Sequence, residues 1–278
     1  MAHKITGHTK ITGVIGKNIA YTQSPIIHNY WYQQHEIDGV YVCFQADETN
    51  FTSTVRGLFQ AGIQGLNVTV PFKEAAFKLC DDLSDDAIHA QAVNCLMVKN
   101  NKIYGHNTDG AGFYNALCAL NPSLDLNGKS VLMIGAGGAA SAIIAYLSQF
   151  NVTINILNRT FEKALLLAKN MGNNANIHVI SKPCHADIII QTTNVKIIEP
   201  NSILDIPDDL ISKAQAIIDI NYGQGTGSFL KKPTILGVKN CDGLEMLLQQ
   251  AVPAFKLFNN HTVNVTNSLR TLVKSTSL

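Results

Sequence analysis

The sequence is poor in charge and has almost no excess of either sign. Charged residues make up 15% of its 278 positions, against about 25% in an ordinary soluble chain. Twenty-one Lys and Arg nearly cancel twenty Asp and Glu, leaving a formal charge of +1. Without a basic surplus there is no electrostatic footprint for nucleic acid or an anionic membrane, and a small-molecule ligand is the better expectation. No apolar run approaches the ~20 residues of a membrane span. The opening Met1–Lys10 mixes His3, Lys4 and Thr6 with glycine and lacks the apolar segment of a signal peptide. The six cysteines (Cys43, Cys80, Cys95, Cys118, Cys184 and Cys241) are scattered, with no Cys-x-x-Cys and no histidines at metal-ligand spacing. That pattern reads as idle thiols in a reducing, cytoplasmic compartment, with no metal centre. What the chain does have is apolar material. At 46% hydrophobic it excludes disorder, and its length exceeds the roughly 100–200 residues of one domain, so two lobes are expected.

Short β-rich runs alternate with helical patterns, which predicts an α/β architecture with parallel strands. Strands are expected at Ile11–Ile15, Tyr41–Phe44 and Gly65–Val68. Helices are expected at Ser24–His35, opened by Ser-Pro as cap and first turn, at Thr49–Gln60 and at Lys73–Cys80. Cys95–Lys99 and Ile103–Gly105, joined by Asn100-Asn101, read as a hairpin. A helix follows at Gly110–Leu120, and the lobe boundary is placed within it. Beyond it, Ser130–Ile134, Thr153–Leu157, Ile177–Ile180, Asp187–Ile190 and Ala216–Ile220 read as strands. Small residues leading to Phe150, then Phe161–Met171, Gly243–Phe258 and Thr266–Val273, read as helices. There is no internal repeat and no low-complexity linker.

The apolar run ending at Ile134 leads into Gly135-Ala136-Gly137-Gly138-Ala139-Ala140. Gly135-x-Gly137-x-x-Ala140 fits the dinucleotide fingerprint, in which the first glycine makes a tight turn and the second admits a pyrophosphate. The diphosphate then sits on the N–H groups of the following helix. An NAD site carries Asp or Glu near the end of the next strand. Here that strand runs into Asn158-Arg159-Thr160 with Lys163 close behind. A guanidinium suits a 2′-phosphate, so the expected cofactor is NADP.

Three further constellations hold more polar groups than folding requires: Thr22-Gln23-Ser24-Pro25, Asn67-Val68-Thr69-Val70-Pro71-Phe72-Lys73-Glu74, and Asn107-Thr108-Asp109-Gly110. Ser24 and Thr108 also read as plain helix caps, and Asn67 as a turn residue. Lys73 is harder to dismiss, because the field at a helix start disfavours a cation and readies an amine to release its proton. Asp109, at its own helix start, is favoured as a carboxylate. Such a pair can divide acid–base work.

These motifs, in this order, resemble the shikimate dehydrogenase family over nearly the whole chain. The likeness is carried by Gly13-Val14-Ile15-Gly16, Ser24-Pro25-Ile26-Ile27-His28-Asn29, Asn67 through Glu74, Ala92-Val93-Asn94 and Gly105-x-Asn107-Thr108-Asp109-Gly110. It continues through Gly135 to Ala139, Asn158-Arg159-Thr160, Gly243-Leu244, Met246-Leu247, Gln250-Ala251 and Ala254-Phe255. The resemblance implies an N-terminal α/β substrate lobe (1–112 with 244–278) and a Rossmann-type NADP-binding lobe (113–243). It implies NADP-dependent interconversion of 3-dehydroshikimate and shikimate by a monomer or homodimer, with Lys73 and Asp109 catalytic. Thr22 and Ser24, with Tyr222, are implied for the substrate carboxylate, and Asn67, Thr69, Asn94 and Gln250 for the ring hydroxyls. Gly135, Ala136, Gly137, Gly138 and Ala139 are implied at the diphosphate. Asn158, Arg159, Thr160 and Lys163 are implied at the 2′-phosphate, with Thr193 and Gly243 near the nicotinamide.

The chain departs from the family's usual pattern in three places. Thr22 replaces the first serine of Ser-x-Ser, with Tyr21 before it where histidine is common. Cys95 replaces the threonine of Ala-Val-Asn-Thr. Gln191-Thr192-Thr193-Asn194-Val195-Lys196 stands for Asn-Ala-Thr and its following glycine. A quinate- or aminoshikimate-preferring relative, a non-catalytic NADP-binding regulator and a tetrahydrofolate-linked dehydrogenase of similar build remain open at this point. The regulator has no need of Lys73 and Asp109 in their motif contexts, and the hydroxyl-binding set disfavours the folate enzyme.

Overall fold

The computed structural model describes residues 5–172, 176–195, 198–199, 202–223 and 228–276. Met1–Lys4, part of the segment read above as no signal peptide, and Lys196 lie outside them. The chain divides into two compact units, Met1–Thr108 with Leu248–Leu278, and Asp109–Leu247.

The first unit contains β1 (Lys10–Gly16), α1 (Ser24–Gln34), β2 (Gly39–Gln45), α2 (Phe51–Gln60), β3 (Gly65–Val68), α3 (Lys73–Leu79), β4 (Asp82–Leu83), α4 (Asp85–Ala90), β5 (Cys95–Lys99) and β6 (Lys102–His106). Its sheet runs β2-β1-β3-β5-β6-β4. β1 pairs parallel with β2 and β3, but β5 is antiparallel to both β3 and β6, so the expected parallel sheet is in fact mixed. Asn100 and Asn101 take positive φ values of 50° and 60°, the geometry of a two-residue hairpin, and return β6 against β5. On one face of the sheet Ile15, Phe51, Val55, Leu66, Val68 and Phe72 form a buried apolar cluster. The Phe255 ring lies 5.5 Å from that of Trp31 and 5.1 Å from that of Tyr32 between centroids.

The second unit contains α5 (Asp109–Leu120), β7 (Ser130–Ile134), α6 (Gly138–Leu147), β8 (Thr153–Leu157), α7 (Phe161–Asn170), β9 (Asn176–Ile180), β10 (Ile188–Gln191), α8 (Asp208–Ile211), β11 (Ala216–Asp219), α9 (Ser228–Ile235) and β12 (Asn240–Cys241). α10 (Leu244–Asn259) crosses the second junction, and α11 (Asn267–Thr276) ends the chain in the first unit. The six strands run β12-β11-β10-β7-β8-β9, all parallel. Val131, Leu132, Met133 and Ile134 are all fully buried, as a central strand covered on both faces requires. The chain passes from β7 outward to β9, then returns to the other side of β7 as β10. The carboxyl ends of β7 and β10 therefore flank the switch point where open α/β sheets bind ligands.

Candidate active site

In the first unit, polar side chains from distant stretches of sequence converge. Asn67 lies at the third position of β3, buried, and is not the turn residue it could have been. Its Nδ2 donates to the Asn94 carbonyl and to Cys95 Sγ, both at 3.2 Å, and its Oδ1 accepts from the Tyr41 hydroxyl at 2.8 Å. Asn94 Nδ2 donates to Thr108 Oγ1 at 2.9 Å and to Gln250 Oε1, on α10, at 3.3 Å. The backbone N–H of Thr108 returns a bond to Asn94 Oδ1 at 2.9 Å. Thr108 thus spends its hydroxyl across the fold, on Asn94 and Gln250.

The reading of Ser24 as a helix cap is corrected. The cap of α1 is Gln23, with no side-chain cap bond, and Ser24 is the first helical residue. Its hydroxyl instead accepts from Thr22 Oγ1 at 3.2 Å. Tyr41, whose buried phenol donates to Asn67, was not singled out by sequence reasoning. Burial pushes its phenol well above the ordinary value, with Cys95 adding to the rise. Thr69 follows β3, half-buried, its N–H on the Ile15 carbonyl at 3.0 Å. Lys73 is the first residue of α3, half-buried, and its carbonyl accepts from Val93 N–H at 2.9 Å. That backbone bond ties the start of α3 to the Ala92–Asn94 segment. Asp109 is the first residue of α5, in the second unit, and is buried.

In the second unit, Gly135 leaves β7 with φ at +116°, and a Cβ there would collide with Thr192 Oγ1. Only glycine makes this turn without strain. Nothing lies within 4 Å of a Cβ built at Gly137, the cap of α6, so a ligand can approach the backbone there. Ala136, Gly138 and Ala139 complete the turn, all half-buried. After β8, Asn158 Nδ2 donates to the Thr160 carbonyl at 2.7 Å, closing a short loop that leaves Arg159, Thr160 and Lys163 exposed. No carboxylate stands in that loop. The residues present therefore fit a dinucleotide carrying a 2′-phosphate.

At the ends of β10 and β11 is a second network that sequence reasoning missed. Asp219 is buried, and burial raises its carboxyl pKa, although Asn221 opposes the rise by donating from both its backbone N–H (3.0 Å) and its Nδ2 (2.8 Å). Asn221 Nδ2 also donates to the Thr193 carbonyl at 2.8 Å, while the Asn221 carbonyl accepts from Gly243 N–H at 3.0 Å. Gln191, fully buried, bonds the Thr193 backbone through both ends of its amide. A Cβ at Gly243 would overlap the Ile220 backbone, which explains the glycine. Tyr222, half-buried, follows Asn221 in this unit. The signal for this network lay in the uncommon polar residue Gln191 ending an all-isoleucine strand.

Two family models match the chain. The shikimate dehydrogenase substrate-binding domain matches residues 14–96, and the shikimate/quinate 5-dehydrogenase model matches residues 118–223. An NADP(+) shikimate dehydrogenase of Caldanaerobacter subterraneus is 35% identical over 263 residues, covering 92% of this chain and 93% of its own. The chain belongs to the shikimate dehydrogenase family. The crystal structure of the family's Aquifex aeolicus member superposes with a TM-score of 0.86 at 33% identity, covering 98% of this chain and 99% of that one. The Thermus thermophilus member, solved with NADP(H) and shikimate, gives a TM-score of 0.83 at 27% identity, covering 96% and 100%. The family's substrate-domain match includes Thr22, Ser24, Asn67, Thr69, Lys73 and Asn94. The second match includes the Gly135 turn, Arg159, Thr193 and Tyr222. Among the described residues no helix is long and apolar enough to cross a membrane.

Proposed function

We propose that the chain catalyses the reversible, NADP-dependent reduction of 3-dehydroshikimate to shikimate, as a step of aromatic amino acid biosynthesis. One observation carries the reading: the buried amides of Asn67, Asn94 and Gln250, from stretches far apart in sequence, belong to one hydrogen-bonded set. A set of buried donors and acceptors of that size suits a small polyhydroxylated ring better than it suits core packing.

Residues 1–112 with 244–278 form the substrate-binding and catalytic domain, and residues 113–243 the cofactor domain. Thr22, Ser24 and Tyr222 bind the substrate carboxylate. Asn67, Thr69, Asn94 and Gln250 bind the ring hydroxyls. The turn from Gly135 to Ala139 holds the diphosphate, and Asn158, Arg159, Thr160 and Lys163 hold the 2′-phosphate. Thr193 and Gly243 line the nicotinamide end. NADPH supplies the hydride when bound. Lys73 gives its proton to the carbonyl oxygen as the C–O π pair moves onto that atom, and takes it back in the reverse direction. Asp109 is the second catalytic residue of the pair. The scatter of the six cysteines along the sequence favours a reducing, cytoplasmic setting, and the chain is assigned as a monomer or homodimer.

The test is absorbance at the reduced-nicotinamide band, with shikimate and quinate each offered with NADP and with NAD. Shikimate with NADP is expected to give the highest kcat/KM. A preference for quinate, or for NAD, would overturn the assignment.

A further inference from the structure

Tyr41 sits on β2, 1% exposed, and is held on every side. Asn29 brackets its backbone, donating to its carbonyl and accepting from its N–H, both at 2.9 Å. The ring stacks on His28 at 4.1 Å between centroids and 14° between planes. Phenylalanine would fill the same space without burying an oxygen, so the hydroxyl needs a reason.

Its hydrogen bond supplies one. The hydroxyl donates to Asn67 Oδ1 at 2.8 Å. Both amide hydrogens of Asn67 are already committed, to the Asn94 carbonyl and to Cys95 Sγ. A carbonyl oxygen has two lone pairs, and Tyr41 takes one. Asn67 can therefore meet a ligand only as an acceptor, through the other.

We propose that Tyr41 is a positioning residue of the substrate site, whose buried hydroxyl pins the Asn67 amide so that its oxygen faces a hydroxyl of the ligand. This inference rests on the function proposed above and adds a residue to its site.

Tyr41→Phe removes one atom and tests it. The KM for shikimate should rise about threefold to tenfold, the effect of one net hydrogen bond, with kcat within about twofold of wild type. The KM for NADP should not change. In an Asn67→Ala background the same substitution should raise the KM for shikimate by less than about twofold, because the hydroxyl acts through that amide. An unchanged KM in Tyr41→Phe would overturn the proposal, whatever happened to the melting temperature. So would an equal rise in both backgrounds, which would mark a general loosening of the fold. Wild-type protein that fails to reduce NADP with shikimate would instead overturn the function itself, and the two failures are distinct.

Discussion

At the scale of single residues, Thr22 is where the chain leaves the family's usual Ser-x-Ser. Threonine keeps the hydroxyl but adds a methyl group and a stiffer χ1. Here Thr22 Oγ1 accepts from Ser24 N–H at 3.3 Å and donates to Ser24 Oγ at 3.2 Å, so the rotamer already aims the oxygen at its partner. Thr22→Ser should therefore retain activity, with shikimate affinity within about tenfold of wild type. Thr22→Ala should weaken shikimate binding by about 1–3 kcal/mol and leave cofactor binding intact. Steady-state kinetics on both variants decide the point, and an unaltered shikimate KM in Thr22→Ala would leave Ser24 alone on the carboxylate. Arg159 makes a second test. It is exposed in the loop after β8, beside a hydrogen bond that shapes that loop. Arg159→Ala should raise the KM for NADP by about tenfold, roughly the 1.4 kcal/mol of one phosphate–arginine contact, and barely alter that for NAD. Equal losses with both cofactors would contradict the 2′-phosphate assignment. Thr22, Asn67, Lys73 and Arg159 were open to proposal from the sequence because each stands in a short motif whose chemistry has a local reason. Tyr41 was not, since its role arises only where β2, β3 and α1 meet.

At the scale of elements, the turn from β7 into α6 is set by one glycine. Gly135 combines φ of +116° with a Cβ position already filled by Thr192 Oγ1, and that hydroxyl is itself bonded to the Ile134 carbonyl at 2.9 Å. Gly135→Ala must distort both the turn and the neighbouring loop. It should cost about 1–3 kcal/mol of stability and weaken NADP binding, read by denaturant unfolding and by titration with NADP. A variant as stable and as tight as wild type would contradict this account of the turn. β7, α6 and β8 were readable because apolar runs, small residues and glycines change rhythm at their ends. β4 and β12 have two residues each, and α8 has four, too few for a period to show. α9 has only eight residues and carries Pro233, which weakens a helical signal that short. The first unit's sheet is mixed because β5, the first arm of the expected hairpin, runs antiparallel to both β3 and β6.

At the scale of the whole molecule, a buried neutral imidazole couples stability to pH. His28 is 1% exposed and neither ring nitrogen has a hydrogen-bond partner, and burial lowers its pKa to about 3. An unfolded histidine titrates near about 6.5, so between these values the unfolded chain binds one more proton than the folded one. Stability therefore rises with pH across that window and is lost on acidification from about pH 6.5 toward 3, at up to ~1.4 kcal/mol per unit. His28→Phe should flatten the slope by about that amount, in urea unfolding at a series of pH values from about 4 to 6. Parallel curves for the two proteins would contradict the buried, neutral state. The two-lobed α/β plan was legible from length, alternation and a fingerprint in mid-chain. The return of the C-terminal helices to the first unit was implied by the family resemblance, since local patterning says nothing of where a helix packs.

The central claim is that the chain moves hydride between shikimate and NADP while Lys73 handles the proton. It is tested most directly by shikimate-dependent reduction of NADP, followed by absorbance, in the wild-type protein and in Lys73→Ala. Robust turnover by the wild type is expected, with kcat about 10²–10⁴ lower in the variant, the usual worth of a positioned acid or base, and NADP binding retained. A wild-type protein inactive on shikimate, or a folded Lys73→Ala variant turning over at near the wild-type rate, would contradict it.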